Sequence, residues 1–578
     1  MNILGLSGAL GHDASAAIVV NGKLLACAEE ERFIRDKHAK GNMAREATLF
    51  CLKEAGLTPK DIDIVAIPHA PFPFTYKGRW HYAKRYWYAP DRALDVLFNG
   101  NRRHRRYRAQ VEALLTELGF DMTRTRIQPV EHHLAHASSA YHLSGFEEKT
   151  AIIGFDGKGE FATTFFGIGE NGKITKIKEF YDPDSLGGLY GAMTQFLGFE
   201  MLDGEFKVMG MAPYGDPKRY DLSRLLKLTD DGFEVNTALA NTVGIRRYKE
   251  NGEAYYFSKK LIEWLGPKRH GDEIDEPYIH YAASIQQLLE ETSLALIERY
   301  LGDVIRETGR ICFAGGVALN VKLNQRILAL PHVKTLFVQP AAGDAGTAVG
   351  AATYVAHEMG EKISPLKHVY LGPQYTTEEC LAACEPFKDK INVTRCDDIV
   401  AKTADILAEG NPVAWFQGRM EFGPRALGNR SILGDPSHRK IAELINLQIK
   451  FRERWRPFCP SIAPEIAQDM LQTDHPSPYM TFAFKVAEKW KTRVPEVVHE
   501  DGTARAQIVD PEANPRYYAL LKAVETRRGH PVLLNTSLNR RGEPMVCSPR
   551  DALNMFLGCD LQFLVLGDLL ITKGSVHP

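Results

Sequence analysis

The sequence predicts an α/β protein in which two related halves are followed by a further α/β part. Three observations carry this expectation. A meander of three short apolar runs opens the chain and recurs at Ala151; two units of strand, Gly-rich turn and helix start come after the second meander; and beyond Pro365 strands and helices resume with a denser set of arginines. A chain of 578 residues also exceeds what one hydrophobic core supports.

The first meander runs through the apolar stretch 2–7, a Gly-rich loop carrying His12 and Asp13, the run 14–20, the turn Asn21-Gly22 and the return 23–28. Residues 43–55 have helical spacing, and 62–68 read as a strand. Residues 72–108 break the pattern, with Trp80, Tyr82, Tyr86, Trp87 and Tyr88 followed by a basic run from Arg102 to Arg108. Basic residues interleaved with aromatics suit nucleic acid or a phosphorylated ligand; the other reading is a solvated helical insertion. The second meander repeats the plan of the first: the run 151–155, the loop Asp156-Gly157-Lys158-Gly159, the run 161–168, the turn Asn171-Gly172 and the return 173–177.

Residues 277–307 read as a long helix. The strand 310–313 then runs into Gly315-Gly316-Val317-Ala318-Leu319-Asn320, and the strand 335–339 into Gly343-Asp344-Ala345-Gly346-Thr347 before a small-residue helix. Turns of this kind aim backbone N–H groups at an anion. Two of them beside duplicated meanders point to the architecture of actin-like and sugar-kinase-like nucleotide binders, an analogy of fold that says little about chemistry. A boundary is expected near 357–369, where helix gives way to Pro365 and Leu366. Past it, Arg419, Arg425, Arg430, Arg439, Lys440, Lys450, Arg452, Arg454 and Arg456 crowd one stretch, several beside Gly or Pro as in Gly423-Pro424-Arg425 and Trp455-Arg456-Pro457. The expectation is an anion-binding pocket whose cations are held on turns.

Composition excludes several classes. Lys plus Arg number 71 against 72 Asp plus Glu, so no global field draws the chain onto nucleic acid or an anionic membrane. Nine cysteines without CxxC spacing argue for reduced thiols and not for a disulfide or zinc scaffold, with Cys380 and Cys384 read as part of a core stripe. No basic segment followed by an apolar run opens the chain, and nowhere do 18 uncharged apolar residues follow one another. A cytoplasmic location without a membrane partner is expected.

The most specific local signal is Glu131-His132-His133-Leu134-Ala135-His136. A four-residue spacing sets His132 and His136 on one helix face, suited to chelating a metal. A metalloprotease needs Glu directly after its first His, and His133 stands there instead. With Asp156 and Asp344, each in a Gly-flanked loop after a strand, the pair forms a nitrogen and oxygen set suited to Fe(II), Mn(II) or Zn(II). His12, after a strand and before Asp13, is the candidate general base, the alternative being a loop imidazole that orients backbone.

Several motifs recur in a fixed order: His12-Asp13-Ala14-Ser15-Ala16, Glu29-Glu30-Glu31-Arg32-Phe33, the HxxxH pair, Lys207-Val208-Met209-Gly210 and the two Gly-rich turns; then Glu421-Phe422-Gly423-Pro424-Arg425-Ala426-Leu427-Gly428, Arg452-Glu453-Arg454-Trp455-Arg456-Pro457-Phe458 and Leu534-Asn535-Thr536-Ser537. Over nearly its whole length the chain resembles the ATP-dependent O-carbamoyltransferases of the nodulation-protein and antibiotic-tailoring type. The resemblance implies a duplicated actin-like domain over 1–365, which binds metal and adenylate and transfers the carbamoyl group, and a YrdC-like α/β domain over 366–578. The second domain would form carbamoyl adenylate from carbamoyl phosphate and ATP, and the first would pass the carbamoyl group to a hydroxyl of a small-molecule acceptor. It also implies His132, His136, Asp156 and Asp344 as ligands of a divalent metal, iron by the family's habit. Lys37, Gly315, Gly316 and Asn320 would lie near the adenylate, and Arg425, Lys450, Arg456, Arg505, Asn535 and Ser537 would bind carbamoyl phosphate and nucleotide. The rival readings are a threonylcarbamoyl-type tRNA-modifying enzyme, an actin-like kinase that would leave ADP, and a non-catalytic nucleotide-binding module.

Overall fold

The computed structural model describes residues 1–8 and 11–574. The last four residues of the second expected domain thus lie outside the described residues. The chain forms two compact units: Met1–Leu25 with Lys40–Leu366, and Ala26–Ala39 with Lys367–Pro578. Segment Ala26–Ala39, which the sequence reading keeps within 1–365, packs with the second unit.

The first unit holds two five-stranded sheets of the same plan. One has the order β3-β2-β1-β4-β5, from β1 (Asn2–Leu6), β2 (Ser15–Val20), β3 (Lys23–Glu29), β4 (Ile64–Ile67) and β5 (Arg126–Pro129). The other is built from β6 (Thr150–Phe155), β7 (Ala162–Glu170), β8 (Lys173–Tyr181), β9 (Arg310–Ala314) and β10 (Thr335–Val338), in the order β10-β9-β6-β7-β8. In each, the first strand pairs antiparallel with the second and parallel with the fourth, and the fourth pairs parallel with the fifth. Both hairpins turn through Asn-Gly with positive φ at both residues, 48° and 74° at Asn21-Gly22 and 50° and 81° at Asn171-Gly172. That is the turn whose twist matches paired strands. The duplicated actin-like plan is therefore present in strand order as well as in sequence.

Helices cover these sheets: α1 (Arg45–Glu54), α2 (Lys77–Arg85), α3 (Pro90–Asn99), α4 (Arg102–Glu117), α5 (His132–Ser144), α6 (Tyr278–Thr308), α7 (Val321–Leu328) and α8 (Ala345–Glu358). Close packing of α5 on α8 is what later brings the candidate ligands together. A Cβ on Gly350 would stand 1.8 Å from the Ala135 carbonyl oxygen, and one on Gly5 would stand 1.9 Å from that of Ala348. Only glycine lets those backbones approach so closely. The insertion 72–108 folds as α2, α3 and the start of α4. Each helix lays one face inward, with Arg79 and Tyr82 of α2, Ala93 of α3, and His104 and Tyr107 of α4 buried.

The second unit centres on an eight-stranded mixed sheet, which fits the α/β expectation. Its strands are β11 (Ile391–Arg395), β12 (Val413–Phe416), β13 (Arg430–Gly434), β14 (Cys459–Ile462), β15 (Gln507–Ile508), β16 (Val532–Ser537), β17 (Phe563–Leu566) and β18 (Leu569–Lys573). They lie in the order β11-β18-β17-β12-β13-β16-β14-β15. Trp415, Leu433, Leu533 and Val565 on the sheet pack with Tyr517, Leu520, Leu521 and Val524 of α10 (Pro515–Arg528) and with Ile406 and Leu407 of α9 (Ile399–Ala408). All nine cysteines are free thiols, and Cys380 and Cys384 are both buried. Among the described residues no helix is long and apolar enough to cross a membrane.

Candidate metal centre and arginine pocket

His132 and His136 occupy the first two turns of α5, Asp156 follows β6, and Asp344 immediately precedes α8. The close seating of α8 on α5, which only a glycine at position 350 permits, brings Asp344 beside the two histidines. The two Nε2 atoms are 3.1 Å apart. His132 Nε2 lies 3.4 Å from Asp156 Oδ2 and 3.5 Å from Asp344 Oδ1; His136 Nε2 lies 4.0 and 3.7 Å from the same atoms. Donor atoms bound at ~2.1 Å to one first-row ion stand roughly 3.0–3.4 Å apart, so this set fits such an ion with slight contraction. Asp344 also sits at the positive end of the α8 dipole, which favours its carboxylate.

Burial penalises charge on His132, Asp156 and Asp344, yet the attraction between imidazole and carboxylate prevails. Both carboxyls are held below the usual carboxylate range, and His132 is raised by Asp344 and Asp156. The other oxygen of Asp156, Oδ1, accepts from the Gly316 N–H at 2.9 Å. Gly316, expected at the adenylate, thus spends that N–H on aiming a candidate ligand. Neighbouring Gly315 has φ +93°, and a Cβ there would meet the Phe155 carbonyl oxygen at 2.1 Å.

His12 stands beside this centre. Its Nδ1 pairs with Asp13 at 2.8 Å, and its Nε2 is 4.0 Å from Asp344 Oδ2. Burial works against its charge, but Asp344, Asp13 and Asp156 raise it to about 9. A cation on the carboxylates would cancel much of that pull.

Two residues not singled out in the sequence support the centre. Glu160 accepts the His132 N–H at 3.2 Å and the Ala70 N–H at 2.7 Å; burial raises its carboxyl to about 6. His69, just after β4, has both ring nitrogens buried without a hydrogen-bond partner, and burial, followed by Arg103, His132 and His104, holds it down to about 3. Glu160 ends the Gly-rich loop that begins at Asp156, which was a usable signal; His69 had none.

Asn320, expected near the adenylate, has its side chain held within the fold. It caps α7, accepting the Leu323 N–H at 3.0 Å, and exchanges two further hydrogen bonds with Gln286 at 2.9 and 3.0 Å. Its side chain is committed to the fold. Lys37, grouped with it in the sequence reading, belongs to the second unit, where its charge acts on Lys450.

In the second unit the cations act on one another. Burial and then Arg505 and Arg456 hold Arg425 well below the ordinary guanidinium value. Arg452 is lowered by burial, Arg456 and Arg505, and Lys450 by burial, Arg452, Arg456 and Lys37. The carboxylates close by are few: Glu453, 3.6 Å from both Arg456 Nη1 and Arg541 Nη2, and Glu543, which pairs with Arg540 at 2.6 Å. Lys450 Nζ donates to the Ser537 carbonyl at 2.7 Å, to Ser537 Oγ at 3.2 Å and to Asn539 Oδ1 at 2.6 Å. Arg505 Nε points to Cys459 Sγ at 3.1 Å. Asn535 donates to Ala426 and Ser461 at 3.2 and 3.0 Å, leaving its buried Oδ1 unpartnered. Buried like charges are costly until an anion joins them.

The loop carrying Arg425 is fixed by Glu421, whose Oε1 accepts from the N–H groups of Leu427, Asn429 and Arg430 at 2.7, 2.8 and 3.2 Å. Segment Ala26–Ala39 grips the same loop. Glu29 Oε1 accepts from Gly423 N at 2.9 Å, and Arg32 Nη2 donates to the Gly423 carbonyl at 3.0 Å. Not every arginine of the stretch joins this cluster. Arg430, expected on a turn, lies in β13 with its guanidinium buried, donates to the carbonyls of Gln417 and Pro373 at 2.6 and 2.9 Å, and covers the Phe416 ring at 3.7 Å. Arg419 likewise serves the Leu371 carbonyl at 2.7 Å. These two hold strands and loops together.

The family of the carbamoyltransferase N-terminus matches residues 2–353, and that of the carbamoyltransferase C-terminus matches residues 404–573. The chain belongs to the carbamoyltransferase family. The chain is 38% identical to the uncharacterized protein sll1178 of Synechocystis sp., over 99% of this chain and 97% of that one. It is 34% identical to nodulation protein NolNO of Sinorhizobium fredii, over 100% of this chain and 81% of that one. Among solved structures, the ROK hexokinase from Thermus thermophilus covers 61% of this carbamoyltransferase and 98% of its own length at 15% identity and a TM-score of 0.28.

Proposed function

We propose that the chain is an O-carbamoyltransferase that makes carbamoyl adenylate from carbamoyl phosphate and ATP in its second unit. It then transfers the carbamoyl group to a hydroxyl of a small-molecule acceptor in its first unit. The observation that carries this is the crowding of wholly or partly buried cations in the second unit. Burial and the charges of Arg452, Arg456, Arg505 and Lys37 hold Arg425, Lys450 and Arg452 below their ordinary values, and a polyanion would remove that cost. Carbamoyl phosphate, ATP and pyrophosphate are all such polyanions, and planar guanidinium groups fit phosphoryl oxygens in pairs. The acceptor of the carbamoyl group is read as a hydroxyl compound of natural-product type, and the setting as cytoplasmic.

In the first unit His132, His136, Asp156 and Asp344 would hold a divalent metal, read as Fe(II). The donor set, two imidazoles and two carboxylates, fits it. When bound, such an ion supplies Lewis-acid polarisation of an acyl oxygen. The chain's own residues do the rest: Gly316 N–H and Glu160 aim Asp156 and the start of α5, and Asp13 fixes the His12 ring so that Nε2 can take the proton of the attacking hydroxyl.

Incubation with carbamoyl phosphate and ATP should yield AMP, phosphate and pyrophosphate in the presence of an acceptor, with a carbamoyl addition to that acceptor seen by mass spectrometry. Formation of ADP, or dependence on threonine and bicarbonate, would defeat the proposal.

A further inference from the structure

The insertion 72–108 is not used by the chemistry above, yet its outer surface is unlike the rest of the chain. Phe74, Trp80, Trp87, Leu94 and Phe98 are 45, 48, 73, 54 and 71% exposed. They are not scattered. The Phe74 ring meets Trp80 edge-on at 5.2 Å and Phe98 at 6.0 Å, and Trp80 Nε1 donates to the Phe74 carbonyl at 3.1 Å.

Helical spacing explains how basic residues join them. On α2, Arg79, Tyr82 and Tyr86 face inward, which turns Lys77, Trp80 and Lys84 outward, with Trp87 just beyond the helix end. On α4, His104 and Tyr107 face inward and Arg102, Arg105 and Arg106 face out. Leu94 and Phe98 lie four residues apart on α3. Residues 72–108 carry ten Lys and Arg against two Asp, in a chain whose net charge is −1. One of those two acids, Asp91, lies 3.7 Å from Arg92. Among the described residues no carboxylate lies within ion-pair distance of Lys77, Lys84, Arg102, Arg105 or Arg106.

We propose that this face docks peripherally on an anionic lipid surface. Exposed Trp and Phe interleaved with Lys and Arg on short helices suit the boundary between headgroups and acyl chains, where rings enter and cations stay with phosphates. The charge excludes a two-fold contact with a second copy, which would set this strongly basic face against itself. Single-stranded nucleic acid would use ring faces as stacking platforms. Here Phe74 and Trp80 cover one another edge-on, and aliphatic Leu94 offers no such face.

The test is cosedimentation of the full chain with vesicles of phosphatidylcholine, with and without phosphatidylserine. Binding should require the anionic lipid, weaken as salt rises, and shift tryptophan emission to the blue. Lys77→Gln/Lys84→Gln/Arg106→Gln should weaken binding on the order of a hundredfold, from roughly fivefold per cation removed. Trp80→Ala/Phe98→Ala should also weaken it in protein that circular dichroism shows to be folded, while the thermal unfolding midpoint of the Lys and Arg variant stays put because those side chains are exposed. No sedimentation, equal sedimentation with neutral vesicles, retention of single-stranded RNA in place of vesicles, or a dimer that Trp80→Ala returns to monomer would each overturn the proposal.

Discussion

Buried charge is arranged in opposite ways in the two units. Around His132, His136, Asp156 and Asp344 two imidazoles face two carboxylates, with donor atoms within 4.8 Å of one another, a set that suits one divalent cation. Around Arg425, Lys450, Arg452, Arg456 and Arg505 like charges crowd together. On the proposed function the first arrangement would select a small ion by donor geometry, and the second a polyanion by total charge and by the flat, forked shape of guanidinium.

The contrast can be broken most sharply at the balanced set. His132→Ala or Asp344→Ala should abolish bound metal by elemental analysis and lower carbamoyl transfer at least ~100-fold, since even loss of a supporting partner costs ~10- to 100-fold. Pyrophosphate release from carbamoyl phosphate and ATP should persist; full metal occupancy in both variants would refute the ligand assignment. Next comes Arg456→Lys, which keeps charge but loses the fork. Use of carbamoyl phosphate should fall roughly ten- to a hundredfold, from ~1.5–3 kcal/mol for a charge-assisted bond, while transfer from supplied carbamoyl adenylate remains. Equal loss of both half-reactions in folded protein would count against it.

Glu421→Gln sharpens the comparison at a supporting residue. One carboxylate oxygen gathers three N–H groups of the Arg425 loop, and a neutral amide holds them less firmly, by ~1 kcal/mol, so the KM for carbamoyl phosphate should rise about fivefold with metal content unchanged. The smallest effect is expected at Asn320. As a helix cap its change to Ala should cost ~1 kcal/mol in unfolding measurements and leave nucleotide affinity as it was. A large loss of nucleotide binding would restore its expected place at the adenylate.

How far the sequence reached depends on whether a feature is local. The two Asn-Gly turns were legible because their positive φ angles are demanded by two adjacent residues, and so the duplicated sheets followed. The HxxxH pair was legible from helical period alone. Arg425 and Arg430 could not be told apart, since both follow closely on glycines; only strand pairing, with Phe416 opposite Arg430, turns the second inward. Gly316 and Asn320 carried motif signals but not their hydrogen-bond partners, which are Asp156 and Gln286, 160 and 34 residues away. His69 lacked even a motif, as its setting is made by Arg103, His104 and His132 from two other helices.

The early segment Ala26–Ala39 has a consequence for how the chain is made. Glu29 accepts from the N–H of Gly423, a partner 394 positions later, so this contact forms only after most of the polypeptide exists. Contacts of such long sequence separation slow assembly. They also forbid a clean cut at 365/366: the C-terminal fragment would lack Glu29 and Arg32, and with them two of the contacts that fix the loop bearing Arg425. A split pair of genes for this protein would have to carry the early segment on the C-terminal piece, or exchange it after synthesis.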